Sequence, residues 1–169
     1  MDAKGNAEAI VQAFGADYLK SLDAKEFFVF LDVEPSTPLS ADYWVGWASA
    51  IASHSEVLSD GEFKFLPCVY HHRNDRETIR ALNSASAEPG VKSYGSWVVH
   101  YLNFDDTMCH RPTDWMPDFV GLVIPVQSKI LIWQFVGDCF QTKALDFNQV
   151  NPNINAENAL LKYLILPPA

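Results

Sequence analysis

The segment FFVFLDVEP, residues 27–35, is the clearest strand signal in the sequence. Its first seven residues are aromatic, β-branched or aliphatic apart from Asp32, and strands favour this composition. An apolar run that does not alternate with polar residues is typical of a parallel strand buried on both faces. Pro35 follows closely and predicts a sharp end to the strand. The segment therefore predicts a buried strand over 27–33, with the carboxylates Asp32 and Glu34 at its end.

Helix and strand patterns alternate on both sides of this segment. Apolar residues within 6–22 recur at three- and four-residue steps, which predicts a helix, and Ser40 predicts the N-cap of another helix over 41–54. Further strands are predicted at 63–70, 96–102, 129–136 and 144–150, and further helices at 75–87 and 156–164. This alternation predicts a single α/β domain over residues 1–169, with about five parallel strands and covering helices.

Length, charge and cysteine content limit the classes of protein to which the chain can belong. The 169 residues suit one ordinary domain, and 49% hydrophobic residues are enough for a buried core. A formal net charge of −9 argues against nucleic acid and against anionic membranes as partners, because both attract basic surfaces. Three widely spaced cysteines favour a reduced compartment over a disulfide framework. The first residues show neither a signal peptide nor a membrane span.

The carboxylate pair at the end of the first strand is the main candidate for chemistry. Residues two apart in a strand point to the same face, about 6.6 Å apart along the chain, so Asp32 and Glu34 are predicted to project together. Ligands bind at the carboxyl end of parallel sheets. Two carboxylates in different surroundings can divide glycoside hydrolysis, since one gives a proton to the leaving oxygen and the other stabilises positive charge. The alternative is a solvated pair that precedes a proline.

Five short motifs occur along the chain in an order that resembles a known family. They are FLDVEP, CVY, WVVHY, IWQF and LDFN, each at a predicted strand, within roughly residues 10–150. In this order they resemble the family 25 lysozyme-like glycoside hydrolases and the related glycoside-hydrolase-like domains of unknown function. The resemblance implies a (β/α)8 barrel of the TIM type and a carbohydrate polymer, such as the amino-sugar polymer peptidoglycan, as the partner.

The resemblance also implies roles for particular residues. Glu34 would be the general acid and Asp32 the stabiliser of a glycoside hydrolase. By the same resemblance Asp146 and Asn148 would face the pocket and bind substrate. Side-chain chemistry adds Trp133, which can stack on a sugar ring, and Gln134, which can hold a hydroxyl, and Tyr70 and Tyr101 lie at predicted strand ends from which their hydroxyls can reach the pocket. Alternatives remain open, because Asp146 and Asn148 also suit a turn, Trp133 also suits the core, and tyrosines at strand ends usually pack.

The chain departs from the family pattern at its start. Family barrels have three strands before the Asp-x-Glu strand, and the first of these carries another functional aspartate, whereas one predicted helix precedes FLDVEP here. The chain therefore resembles the C-terminal five-eighths of a barrel, and we expect a homodimer or a missing N-terminal barrel segment to cover its open edge. The alternative function is a non-catalytic carbohydrate-binding or assembly module. An active muramidase would work at the cell wall or outside the cell.

The spacing of residues gives little support for a zinc site or for a phosphate-binding loop. The candidate zinc ligands Cys68, His71, His72, Cys109 and His110 show no zinc-site spacing, and no glycine-rich phosphate loop occurs. No metal or cofactor is therefore expected. His71 and His72 are interpreted as exposed loop residues rather than as substrate ligands.

The irregular stretch 103–127 is too long for a simple connector. It contains three prolines and the apolar residues Trp115, Met116 and Phe119. We interpret it as a lid or wall of the binding groove, or as a plug for the open barrel end.

Overall fold

The computed structural model describes residues 3–101, 114–115, 117–125, 128–137, 145–154, 160 and 162–165. Much of the predicted irregular stretch 103–127 lies outside these residues, including Met116. Most of the predicted helix over 156–164 does as well, although residues 160 and 162–163 are helical. Within the described part of the chain, no helix is long and apolar enough to cross a membrane.

Five strands form one sheet, and their spatial order follows their order in the chain. They are β1 (Glu26–Val33), β2 (Lys64–His72), β3 (Ser96–Val99), β4 (Ile130–Val136) and β5 (Phe147–Val150). The first four run parallel, which confirms the α/β class with a mostly parallel sheet. β5 is antiparallel to β4, so the prediction of about five parallel strands is wrong for the last strand. The connection between β4 and β5 is shorter than the roughly dozen residues that a parallel crossover needs.

The helices in the described residues are α1 (Ala3–Phe14), α2 (Ala16–Ser21), α3 (Ala41–Leu58) and α4 (Arg76–Ala85), followed late in the chain by a 3-10 turn over Pro152–Ile154. The helix predicted over 6–22 is two helices, because Gly15 has a φ of 86° and this left-handed conformation ends α1. The predicted N-cap of α3 is confirmed, since the Ser40 hydroxyl accepts a hydrogen bond from the Tyr43 amide at 3.2 Å.

The two faces of the sheet have different covers. All four helices pack on one face, here named the helix-covered face, against Phe27, Leu31, Val33, Phe65 and Val69. The other face, here named the opposite face, carries the alternating side chains Phe28, Phe30, Asp32, Cys68, Tyr70 and Trp97. Leu160 and Leu164 near the C-terminus pack on the apolar part of the opposite face, while Asp32, near the carboxyl ends of the strands, is exposed.

Candidate functional site

A row of side chains crosses the opposite face near the carboxyl ends of the strands. Asp32 of β1 pairs with Tyr70 of β2, and Tyr70 pairs with Trp97 of β3. Paired residues in a parallel ladder point to the same face, so the three side chains are neighbours. Tyr70 and Trp97 meet edge to face, with ring centroids 5.5 Å apart. The row therefore joins a carboxylate, a phenol and an indole across three strands.

The antiparallel strand β5 adds an amide to this row. Asn148 pairs with Gln134 of β4, and its Oδ1 accepts a hydrogen bond from the Trp97 indole N–H at 2.8 Å. Because β5 runs against the other strands, its amino end lies at their carboxyl ends. Asp146, which directly precedes β5, is therefore at the same end of the sheet as Asp32.

Tyr70 lies among the predicted carboxylates. Burial raises the pKa of its phenol well above the usual value, and the nearby groups Tyr101, Glu34, Asp146 and Asp32 raise that pKa further. Asp32 is the strand neighbour of Tyr70, and Glu34 and Asp146 lie at the same end of the sheet, so these four residues are here named the carboxylate cluster. The phenol of Tyr70 stays protonated at neutral pH and can donate a hydrogen bond, whereas ionised carboxylates accept.

Tyr101 and Gln134 extend this cluster. Gln134 is buried, and its Nε2 donates to the Tyr101 hydroxyl at 3.5 Å. Gly137 lies directly against the same ring, since a Cβ at this position would be 2.8 Å from Tyr101 Cζ and 3.3 Å from Asp146 Oδ1. The absence of a side chain at Gly137 is what lets Tyr101 and Asp146 approach the backbone so closely.

The two carboxylates of the Asp-x-Glu motif are open to solvent. Asp32 and Glu34 are both exposed, and Glu34 lies just beyond β1, in a turn in which its carbonyl accepts from the Thr37 amide at 2.9 Å. Asp32 borders a cavity of about 330 Å³ between the end of β1 and the start of α3, lined also by Pro38 and Tyr43. Small-molecule sites span roughly 300–1,000 Å³, so the space beside Asp32 is large enough for a ligand group.

Trp133 is not part of this cluster. It alternates with Gln134 along β4 and pairs with Val98, so its side chain points to the helix-covered side of the sheet. The residue is fully buried, its ring centroid is 5.8 Å from that of Trp115, and its indole N–H donates to the His100 carbonyl at 2.8 Å. In this structure Trp133 fills the core, away from the other predicted site residues.

The two adjacent histidines belong to β2 rather than to a loop. The strand extends to His72, so the interpretation of His71 and His72 as exposed loop residues is wrong. His71 is fully buried on the helix-covered face; burial lowers its pKa, and its Nδ1 lies 3.1 Å from the His72 carbonyl oxygen. His72 is half-buried on the opposite face, with its ring 6.3 Å from that of Tyr101. A neutral imidazole packs in a strand as other rings do, and the residue types alone do not reveal this.

Cys68 of β2 is buried, and burial raises the pKa of its thiol well above the usual value. Such a thiol is inert rather than nucleophilic. Among the described residues, no group of three or more His, Cys, Asp or Glu side chains is arranged to hold a metal ion. Cys109 and His110 lie outside the described residues.

Trp97 is a site residue that the sequence reasoning missed. Its indole contacts Tyr70, bonds to Asn148, and meets Phe30 edge to face at 5.7 Å between ring centroids. The available signal was its position, because in the predicted strand 96–102 Trp97 shares a face with Tyr101, whereas β3 ends at Val99 in the structure.

Comparisons with known proteins bear on the fold. No family model matches the chain, and no curated protein matches it. A crystal structure of an uncharacterized B. stearothermophilus protein is similar, with a TM-score of 0.57 at 15% sequence identity. The match covers 96% of this chain and 66% of that chain, so the chain spans just under two thirds of its neighbour's length. At this identity the likeness shows a shared α/β fold alone.

Proposed function

We propose that this chain is a glycoside hydrolase domain that cleaves an amino-sugar polymer such as peptidoglycan. The observation that carries the proposal is the position of Asp32, Glu34 and Asp146 at one end of the sheet, with Asp32 directly beside Tyr70. Carboxylates and amides bind sugar hydroxyls, and aromatic faces stack on sugar rings. The half-buried indole of Trp97 adds such an aromatic surface to the cluster.

The two carboxylates of the Asp-x-Glu motif have separate roles in this proposal. Glu34, in the turn beyond β1, gives its proton to the leaving glycosidic oxygen. The carboxylate of Asp32 stabilises the positive charge that develops on the sugar ring. Tyr70 keeps its proton at neutral pH and donates a hydrogen bond to an ionised carboxylate or to a sugar hydroxyl.

The proposal includes an incomplete (β/α)8 barrel of the TIM type. Two observations on the described residues support it. The helices α1 to α4 share one buried core on the helix-covered face, as the helices around a barrel do, whereas the opposite face is covered in part by the short helical stretch that contains Leu160. In addition, β1 pairs with β2 along one edge, and its other edge has no strand partner among the described residues. A second copy of the chain, or an N-terminal segment with the missing strands, would complete the barrel.

A second candidate function is a non-catalytic carbohydrate-binding module on the same scaffold. The observation that favours it is the solvent exposure of Glu34, because a glycosidase acid is usually kept protonated by apolar surroundings. In this case the cluster around Tyr70 binds the polymer and leaves its linkages intact.

Release of reducing sugar from purified peptidoglycan tests the first candidate. Wild type is compared with Glu34→Gln, Asp32→Asn and the control Glu88→Gln, which makes the same chemical change at an exposed carboxylate after α4. If Glu34 is the general acid, Glu34→Gln loses at least about a hundredfold in rate while Glu88→Gln keeps wild-type activity. Equal activity in wild type and Glu34→Gln would overturn the assignment of Glu34.

Co-sedimentation with insoluble peptidoglycan separates the two candidates. Binding without any release of reducing sugar, lost in Asp32→Asn but kept in Glu88→Gln, identifies the non-catalytic module. Sedimentation velocity on the same samples tests the barrel proposal, because completion by a second copy predicts a dimer.

A further inference from the structure

A second cavity lies outside the carboxylate cluster and shares no residue with it. Its volume is about 430 Å³, and it lies between α4 and the segment 120–123. Three of the four arginines in the sequence, Arg73, Arg76 and Arg80, line it, and the described residues that line it include no acidic side chain. This local excess of positive charge contrasts with the formal net charge of −9 of the whole chain.

One stripe of α4 supplies most of the positive charge. Arg76, Ile79, Arg80 and Asn83 follow steps of three and four residues, so they share one side of the helix. Arg76 and Arg80 are exposed, and their guanidinium groups have no hydrogen-bond or ion-pair partner in the described part of the chain. Side chains four residues apart on a helix are about 5–6 Å apart at Cβ, so both guanidinium groups can reach the same anion.

Side-chain hydrogen bonds hold the other wall of the cavity in place. Arg73 Nη2 donates to the Val120 carbonyl at 3.2 Å, and Asn83 Nδ2 donates to the Val123 carbonyl at 2.7 Å. Arg73 Nη1 also lies 3.3 Å from Asp118 Oδ2. Arg73 is therefore occupied in fixing the wall, whereas Arg76 and Arg80 remain available for a ligand.

We propose that this cavity binds a small organic molecule that carries a phosphate group, through Arg76 and Arg80. Guanidinium forks bind phosphate oxygens bidentately. Arg76 and Arg80 have no acidic partner in the described part of the chain, and their two positive charges are balanced better by a phosphate dianion than by a carboxylate monoanion. The cavity volume lies within the rough 300–1,000 Å³ range of small-molecule sites, and the exposed side chains of Val120 and Val123 give the organic part an apolar wall.

Isothermal titration calorimetry with inorganic phosphate as the probe, at pH 7.5 and low ionic strength, tests the phosphate subsite. The variants Arg76→Gln and Arg80→Gln each remove one guanidinium, and each is expected to weaken binding about tenfold or more. The controls Lys92→Gln and Lys129→Gln each remove one positive charge at an exposed position outside the cavity and are expected to stay within about twofold of wild type. Thermal unfolding of every variant verifies that the chain still folds.

Three results would overturn the proposal: no binding of phosphate to wild type, unchanged affinity in both arginine variants, or acetate binding as tight as phosphate. Loss of affinity in the lysine controls that equals the loss in the arginine variants would also overturn it, because the effect would then come from net charge. The variant Glu34→Gln is expected to bind phosphate as wild type does. The two proposals can therefore fail independently, because the activity assay tests the glycosidase and the phosphate titration tests the arginine-lined cavity.

Discussion

Alternate residues of β1 lie in two different environments. Phe27, Leu31 and Val33 are at most 5% exposed and pack beneath the helices, whereas on the opposite face Phe30 is half-buried and Asp32 is exposed. Among the β1 residues on the helix-covered face only Val29 is partly exposed, whereas the opposite face is open to water near the carboxyl end. One strand thus contributes both to the core and to the candidate site. In β1 the odd-numbered residues point to the helix-covered face, and the even-numbered residues point to the opposite face.

The largest expected effect comes from truncating one aromatic ring on each face. Phe27→Ala removes a fully buried ring whose centroid is 6.1 Å from that of Phe63 and 6.5 Å from that of Phe65, and it should lower the free energy of unfolding by about 3–5 kcal/mol. Phe30→Ala removes a half-buried ring and should cost about half of this or less. Urea denaturation measures both. Equal losses for the two variants would mean that the faces do not differ as described.

A smaller effect is expected from adding one methyl group beside the carboxylate cluster. In Gly137→Ala the new Cβ would overlap the hydroxyl of Tyr101, so that ring must move away from Gln134 and Asp146. We expect a loss of about 1–3 kcal/mol in the free energy of unfolding, together with loss of polymer binding. Co-sedimentation with peptidoglycan and urea denaturation measure the two effects.

Gly46→Ala is the matched control for Gly137→Ala. Gly46 lies within α3, and a Cβ there would meet nothing within 4 Å. Alanine is the better helix former, so this variant should gain up to about 1 kcal/mol and keep polymer binding. If Gly137→Ala behaved like Gly46→Ala, the close approach of Tyr101 to the backbone would have no importance for the site.

The smallest expected effect is on the pH dependence of stability, and it distinguishes His71 from its neighbour His72, which lies on the other face of the sheet. Burial lowers the pKa of His71 in the folded state, while in the unfolded state the imidazole titrates near its ordinary value of about 6.5. The unfolded chain then binds the extra proton first, so stability is full above about pH 6.5 and falls as the pH drops below it. One such group contributes at most about 1.4 kcal/mol per pH unit.

The free energy of unfolding at pH 7.5 and pH 5.5 measures this contribution. His71→Gln should reduce the loss of stability at the lower pH relative to wild type. His72→Gln is the matched variant on the opposite face. In this variant the loss of stability that His71 causes at pH 5.5 should remain. An identical pH dependence in wild type and His71→Gln would show that burial of His71 does not couple folding to protonation.

Sequence patterns predicted where the helices and strands occur better than they predicted the direction in which each strand runs. The run FFVFLDV predicted β1 to within one residue, and Ser40 predicted the start of α3, because both signals are local. The direction of β5 depends on pairing with β4, and a short apolar run does not contain this information. The helix break at Gly15 was also missed, since a glycine in a helical pattern costs only about 1 kcal/mol and tertiary packing decides the outcome.

Those residues of the candidate site that lie at the ends of predicted strands could be predicted from the sequence. Asp32 follows from its position at the carboxyl end of a predicted parallel strand, and the alternation of residues places it beside Tyr70 once β1 and β2 pair. The bond between Trp97 and Asn148 joins residues far apart in the chain through an antiparallel strand, so no local pattern indicates it. The arginine-lined cavity was missed for the same reason, because α4 meets the segment 120–123 only in the folded chain.

The position of Trp97 also gives the molecule an optical property. Its indole N–H is bound to Asn148, its ring touches Tyr70, and it is half-buried beside the carboxylates. Trp44, Trp47 and Trp133 are at most 3% exposed, so their indoles are shielded from solvent changes. Trp115 is half-buried as well, but its ring packs edge to face on Trp133, whose side chain points to the helix-covered side. A ligand that settles over the opposite face displaces water next to Trp97 and shifts the emission of that indole most of all. The protein therefore contains its own fluorescent reporter for this site, and occupancy can be followed without a label.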